Sequence, residues 1–228
     1  MKAGGEKGRP LFWGAVFCGG QSLRMGRDKA QLVIGEKTLL ERAVGFLDQV
    51  CDEVVLACGP KDRYTELGLR CIVDRFPEGL YADGTEVSES RIGPLAGLWA
   101  SLEALSERVD GREEGWLAVL AVDLVRAQGA LFEGLLQRGI EENADACLLE
   151  SGRGREPLFA VYRPSCLESV RAAIQAGERR LVSFHRGYGD LHIASYAEDE
   201  IPPELRVREP ARNVNSPEEF LREGGAIQ

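Results

Sequence analysis

Apolar positions along the chain fall into two alternating kinds of segment. Short runs rich in β-branched and aromatic residues read as strands: Leu11 to Phe17, Glu53 to Cys58, Arg70 to Asp74, Trp116 to Val122, Ala146 to Glu150, Leu158 to Tyr162 and His192 to Tyr196. Between them lie segments of helical period, predicting helices over Thr38 to Val50, Leu95 to Val109, Ala130 to Asn143 and Cys166 to Ala176, with a last one after Asn215. In the first of these, Leu39, Leu40, Ala43, Val44, Leu47 and Val50 share one face and form a core stripe. In the last, Ser216 is a natural N-cap, Pro217 takes the first helical position and Glu219 completes a Ser-x-x-Glu capping box. Phe76 to Arg91 and Ser151 to Glu156 follow neither period and read as loops that ligand would order.

Strands alternating with helices predict an α/β fold, three layers deep, with a mostly parallel sheet. The 228 residues suit a single domain, and a hydrophobic content of 44% supports a sizeable core. Residues 1–10 are charged and glycine-rich without an apolar stretch, so they read as a flexible leader ahead of a domain over 11–228. No uninterrupted apolar run reaches the roughly 18 residues of a membrane span, and the expected location is cytoplasmic.

A formal net charge of -9 argues against nucleic acid as a partner, which would need a basic face. An anionic ligand would instead rely on local cations and metal. The cysteines, at 18, 51, 58, 71, 147 and 166, show no Cys-x-x-Cys pair and no metal-ligand spacing, so they read as buried free thiols. With only His185 and His192, a histidine-rich metal site is excluded and a histidine-based triad is disfavoured.

The chemistry concentrates where the first strand ends. Val16-Phe17-Cys18-Gly19-Gly20-Gln21-Ser22-Leu23-Arg24-Met25-Gly26-Arg27-Asp28-Lys29-Ala30 places glycines, arginines and a lysine in one loop able to wrap a polyphosphate. Glycine lets backbone N–H groups approach phosphate oxygens, and the cations supply charge. The loop lacks the Gly-Lys-Ser/Thr ending of a P-loop and the Gly-x-Gly-x-x-Gly of a dinucleotide site. In open α/β sheets, ligands bind beyond the carboxyl ends of strands, where Asp74 and Asp123 also fall. A strand-end carboxylate such as Asp123 is a hard oxygen ligand suited to Mg²⁺.

This order of residues resembles the signature loop of the molybdenum cofactor guanylyltransferase family (molybdopterin-guanine dinucleotide biosynthesis protein A), roughly Leu-Ala-Gly-Gly-x-Ser-x-Arg-Met-Gly-x-Asp-Lys, with Cys18 where alanine is usual. Arg91-Ile92-Gly93-Pro94-Leu95-Ala96-Gly97-Leu98 resembles the family's Gly-Pro-Leu-Ala-Gly, a turn that feeds a helix and contacts the base. Three later segments resemble those lining the acceptor side: Arg155-Glu156-Pro157-Leu158, Gly177-Glu178-Arg179-Arg180-Leu181 and Asn213-Val214-Asn215-Ser216-Pro217.

The resemblance implies a Rossmann-like nucleotidyltransferase of the nucleotide-diphospho-sugar transferase type, with a nucleotide-binding N-terminal half and an acceptor-binding C-terminal half. It implies Arg24, Lys29 and Asp123 as catalytic groups, Asp123 holding Mg²⁺, and Phe17, Cys18, Gly19, Gly20, Ser22, Gly26, Lys29, Asp74, Gly93, Pro94, Leu95 and Asp123 about the nucleotide. Pro157, Arg179, Asn213 and Asn215 would meet the acceptor. The implied reaction joins GMP from GTP to the phosphate of molybdenum-molybdopterin and releases pyrophosphate, with contacts to biosynthesis or acceptor proteins. Rival readings are a CTP-dependent transferase for the same acceptor, a sugar-phosphate nucleotidyltransferase, and a nucleotide-binding module with little turnover. Two departures from the family stand out. Asp123-Leu124-Val125 lacks the proline that usually follows the aspartate, and Ala57-Cys58-Gly59-Pro60 lacks an asparagine that some relatives carry after the second strand.

Overall fold

A computed structural model of the chain describes residues 9–19, 28–74, 93–109 and 114–225. Its centre is a 7-stranded sheet in the order β5-β4-β1-β6-β8-β7-β9. These strands are β1 (Leu11–Phe17), β4 (Glu53–Gly59), β5 (Cys71–Val73), β6 (Gly115–Ala121), β7 (Ala146–Ser151), β8 (Gly154–Tyr162) and β9 (Ile193–Ala197), while β2 (Val33–Ile34) and β3 (Lys37–Thr38) form a separate small ribbon. β8 runs antiparallel to both of its neighbours; the remaining pairs in the sheet are parallel. The mostly parallel α/β sheet read from the sequence is therefore present.

β6 explains the arrangement most simply. Its residues, Gly-Trp-Leu-Ala-Val-Leu-Ala, are buried on both faces, as a central strand covered by helices on each side requires. One core layer packs α1 (Leu39–Leu47) and α3 (Gly129–Glu141) on a face carrying Phe12, Val16, Trp116, Leu120 and Phe159. The opposite layer packs α2 (Pro94–Arg108) and α4 (Leu167–Gln175) on Trp13, Ala15, Leu117, Val119 and Tyr162. α5 (Pro217–Arg222) follows the last strand.

Helix boundaries follow their caps. Thr38, read as the first residue of α1, is its N-cap: its hydroxyl accepts from Glu41 N–H, and the Glu41 carboxylate accepts from Thr38 N–H. The Ser216, Pro217 and Glu219 signals are all realised in α5. Among the described residues, no helix is long and apolar enough to cross a membrane.

Two expectations are corrected. Ser151 to Glu156 is a hairpin rather than a loop: β7 runs through Ser151, β8 begins at Gly154, and Gly152 and Arg153 make the turn, with Gly154 at φ 104°. The cysteines are not all free. Cys58 and Cys71 lie on adjacent strands with Cα atoms 6.2 Å apart and are joined as a disulfide, while Cys18, Cys51, Cys147 and Cys166 are free and buried. Strand adjacency created that pairing, and spacing in the sequence carries no trace of it. The expected Phe76 to Arg91 loop lies wholly outside the described residues, as does most of the leader.

Candidate active site

The chain leaves β1 for β4 and β5 on one side and returns to β6 on the other, so the carboxyl ends of β1 and β6 flank a point where the strand order reverses. Phe17 carbonyl accepts from Val122 N–H at 3.1 Å, and Cys18 N–H donates to Ala57 carbonyl at 3.1 Å. The glycine-rich loop thus starts pinned between three strand ends. Gly19 is required by this approach: a Cβ there would lie 2.4 Å from the Gly59 nitrogen. Where the asparagine is missing, the Gly59 carbonyl at the end of β4 accepts from Asp74 N–H at 2.8 Å.

Beyond the loop, Asp28 caps a single 3₁₀ turn, Lys29–Gln31, by accepting from Ala30 N–H at 3.1 Å. That turn carries Lys29 across to the end of β6. Lys29 Nζ donates to Asp123 Oδ2 at 2.9 Å and to Asn215 Oδ1 at 2.8 Å. All three side chains are half-buried, so their Coulomb interaction is screened less than that of a surface pair.

The turn at Asp123 needs no proline. Val214 N–H donates to Asp123 carbonyl and Val125 N–H to Arg212 carbonyl, each at 3.1 Å, with Leu124 paired antiparallel to Asn213. Proline at 125 would delete one of these bonds, so this chain fixes the turn with a ladder instead of a locked φ. Asn215 is held in turn by Glu219, whose carboxylate accepts from Asn215 N–H at 2.7 Å and from Ser216 N–H at 3.2 Å. The Asn215 N–H is the main reason the Glu219 carboxyl sits below its ordinary pKa.

A second group gathers at the start of α2. Gly97 lies against the Phe17 ring and the Asp74 carboxylate, where a Cβ would stand 3.2 and 3.4 Å from them. Gly93, at φ 61°, opens the helix beside the carbonyl of Arg179, and Pro94 occupies the first turn. The motif read for the base therefore abuts one read for the acceptor. Leu95 is fully buried in the core, so its side chain is unavailable to a ligand. Cys18 is also buried, and desolvation pushes its thiol up to about 12, which keeps it protonated and unreactive.

Pro157 sits in the irregular stretch of β8 between the pairs Leu148 with Ala160 and Leu149 with Glu156, and its carbonyl accepts from Tyr162 hydroxyl at 2.7 Å. Among the described residues, neither Pro157 nor Arg179 forms a hydrogen bond or ion pair with Lys29, Asp123 or Asn215. Arg24, Gly20, Ser22 and Gly26 lie outside the described residues.

Sequence reasoning missed Arg153. From the hairpin turn its guanidinium donates to Asn213 Oδ1 at 3.1 Å and to the Ala211 carbonyl, bracing the segment that leads to Asn215. Two strand-like runs with Gly-Arg between them were the available signal.

Asp123 and Asn215 offer two hard oxygens already converging on a cation. Among the described residues, no group of three or more histidine, cysteine or acidic side chains could hold a metal. That donor set fits an ion such as Mg²⁺, which takes one or two carboxylates and completes its shell from water and substrate phosphates.

A Rossmann-like sheet, a glycine-rich loop opening at its switch point, and a Lys–Asp–Asn cluster across that opening define an α/β nucleotidyltransferase. Residues 14–190 match the MobA-like NTP transferase domain, and the chain belongs to that family. It is 33% identical over 205 residues, 89% of this chain and 88% of the relative, to a probable molybdenum cofactor guanylyltransferase of Mycobacterium tuberculosis. It is 33% identical over 172 residues, 75% of this chain and 76% of the relative, to one from Opitutus terrae. Molybdopterin-guanine dinucleotide biosynthesis protein A from Archaeoglobus fulgidus shares the fold with a TM-score of 0.71 at 21% identity, covering 93% of this chain and 96% of that one. The chain is a nucleotidyltransferase, and enzymes of this family generally use a divalent metal.

Proposed function

We propose that the protein transfers GMP from GTP to the phosphate of molybdenum-molybdopterin, forming the guanine dinucleotide form of the cofactor and releasing pyrophosphate. The observation that carries this reading is the convergence of Lys29, Asp123 and Asn215 at the mouth of the glycine-rich loop. Relatives named probable molybdenum cofactor guanylyltransferase support the choice of reaction.

In this reading an acceptor phosphate oxygen attacks the α-phosphorus of GTP, and the bond from that phosphorus to the bridging oxygen breaks as pyrophosphate leaves. The attacking oxygen belongs to the substrate, so no enzyme nucleophile is needed. Asp123 and Asn215 would hold Mg²⁺, which when bound neutralises phosphate charge and screens the α-phosphorus for attack. Lys29 then trades its carboxylate and amide partners for phosphate oxygens, while Arg24 and the loop N–H groups stabilise charge growing on the leaving group. The loop and the start of α2, from Phe17 through Gly20, Ser22, Gly26, Asp74, Gly93 and Pro94, bind the nucleotide. The later segments with Pro157, Arg179, Asn213 and Asn215 bind the acceptor.

Guanine is assigned on the Gly93-Pro94-Leu95-Ala96-Gly97 segment. The reaction belongs to the cytoplasm. Mass analysis of the product formed from molybdopterin-loaded acceptor and equimolar GTP and CTP tests the assignment. The guanine dinucleotide is expected; the cytosine form would reassign the base, and a nucleotide adduct that forms only when a sugar phosphate replaces the molybdopterin would reassign the acceptor.

A further inference from the structure

We propose that Arg63 and Tyr64, acting through Asp28, are positioning residues for Lys29. This rests on the reading of Lys29 as a phosphate-contacting group. Asp28 uses both carboxylate oxygens. Oδ1 accepts from Ala30 N–H and holds the 3₁₀ turn, while Oδ2 accepts from Tyr64 hydroxyl at 2.7 Å and from the Arg63 guanidinium. Both partners come from the connection between β4 and β5, more than thirty positions further on. The residue after Asp28 is Lys29, the first of that turn, so the orientation of Asp28 sets where the ammonium starts its reach to Asp123.

The clamp is built against local preference. Tyr64 is 7% exposed and holds φ at 62°, a left-handed backbone that non-glycine residues seldom adopt and that clusters where function demands a geometry. Its hydroxyl donates to the half-buried Asp28 carboxylate, and burial followed by that contact raises its pKa. The Arg63 guanidinium lies 4.8 Å from the Tyr64 ring centroid, so the two side chains brace each other as well as Asp28. Filling the core does not call for the hydroxyl, since phenylalanine would occupy nearly the same volume without a polar group to satisfy.

The test uses the full chain and Mg²⁺·GTP. In Tyr64→Phe without nucleotide, the Ala30 amide should exchange with solvent about tenfold faster, because its acceptor is no longer fixed. Affinity for Mg²⁺·GTP should fall about tenfold, and this loss should vanish when Tyr64→Phe is combined with Lys29→Ala, since one effect is routed through the other. Arg63→Ala should reproduce both changes and Arg63→Lys should restore most of the affinity. Unchanged Ala30 exchange in both the Tyr64 and Arg63 variants would overturn the clamp whatever the ligand. An equal loss of affinity with and without Lys29 would overturn it too, by showing that the residues act through the fold. Failure of the unaltered chain to bind any nucleoside triphosphate would instead overturn the transferase reading, leaving the Ala30 exchange to decide the clamp.

Discussion

Lys29 and Asp123 are 94 positions apart in the chain, yet the ammonium of one lies 2.9 Å from a carboxylate oxygen of the other, with Asn215 closing the group at 2.8 Å. Bringing them together takes the β1–β6 pairing, the cap at Asp28 and the ladder between Leu124 and Asn213. Under the proposed reaction, Lys29→Ala removes a point charge that would meet the phosphates. It should lower kcat/KM by on the order of a hundredfold, about 3 kcal/mol of barrier. Thermal unfolding should move by no more than about 4 °C, because the pair is half-exposed and supports little of the core.

Asn215 has a different role from Asp123. Its amide oxygen is a neutral acceptor and metal-ligand atom, oriented because Glu219 fixes its backbone and Arg153 braces the segment beside it at Ala211 and Asn213. Asn215→Ala should leave GTP affinity nearly intact at saturating Mg²⁺ but raise the metal concentration needed for half activity by roughly tenfold, as loss of a supporting group does at metal sites. A Mg²⁺ titration of activity measures this directly.

Gly19 and Gly97 allow two close approaches that differ in cost. Alanine at 19 meets Gly59 backbone at 2.4 Å and must push the strand ends apart, so it should destabilise the chain by about 1–3 kcal/mol in urea unfolding. Alanine at 97 gains helix propensity, worth up to about 1 kcal/mol, while crowding Phe17 and Asp74. Stability should hardly change there, and KM for nucleotide should rise several-fold.

His185 reports on the fold rather than the reaction. Its ring packs edge-on against Phe184, its Nε2 has no hydrogen-bond partner among the described residues, and burial lowers its pKa from 6.5 to about 4. The unfolded chain therefore binds the extra proton first, and stability is lost as pH falls from about 6.5 toward about 4. Partial exposure limits the effect to at most about 3 kcal/mol. Urea unfolding at pH 7.5 and 4.5 should show a smaller drop for His185→Phe than for the unaltered chain.

Sheet and helices could be read from periodicity because β6 and α1 carry their burial pattern in consecutive residues. Asp123 could be read because a carboxylate directly after an apolar strand has one place to go, the rim of the sheet. Lys29 came from the motif, but its meeting with Asp123 and Asn215 did not, since nothing local records a contact across three segments. The same holds for Tyr64, Arg63 and Arg153, which act on Asp28 and Asn213 through strand neighbours distant in sequence. The Cys58–Cys71 pairing was hidden for that reason as well. The hairpin at Gly152-Arg153 was misread because Ser-Gly-Arg-Gly-Arg is polar, although a two-residue turn needs little else.

The most direct measurement follows pyrophosphate release from each of the four nucleoside triphosphates, with Mg²⁺ and molybdopterin-loaded acceptor, for the unaltered chain beside Asp123→Ala. Release with GTP alone that is lost in the variant is the predicted result. Release by Asp123→Ala at the unaltered rate, or no release with any triphosphate despite intact GTP binding, would contradict it.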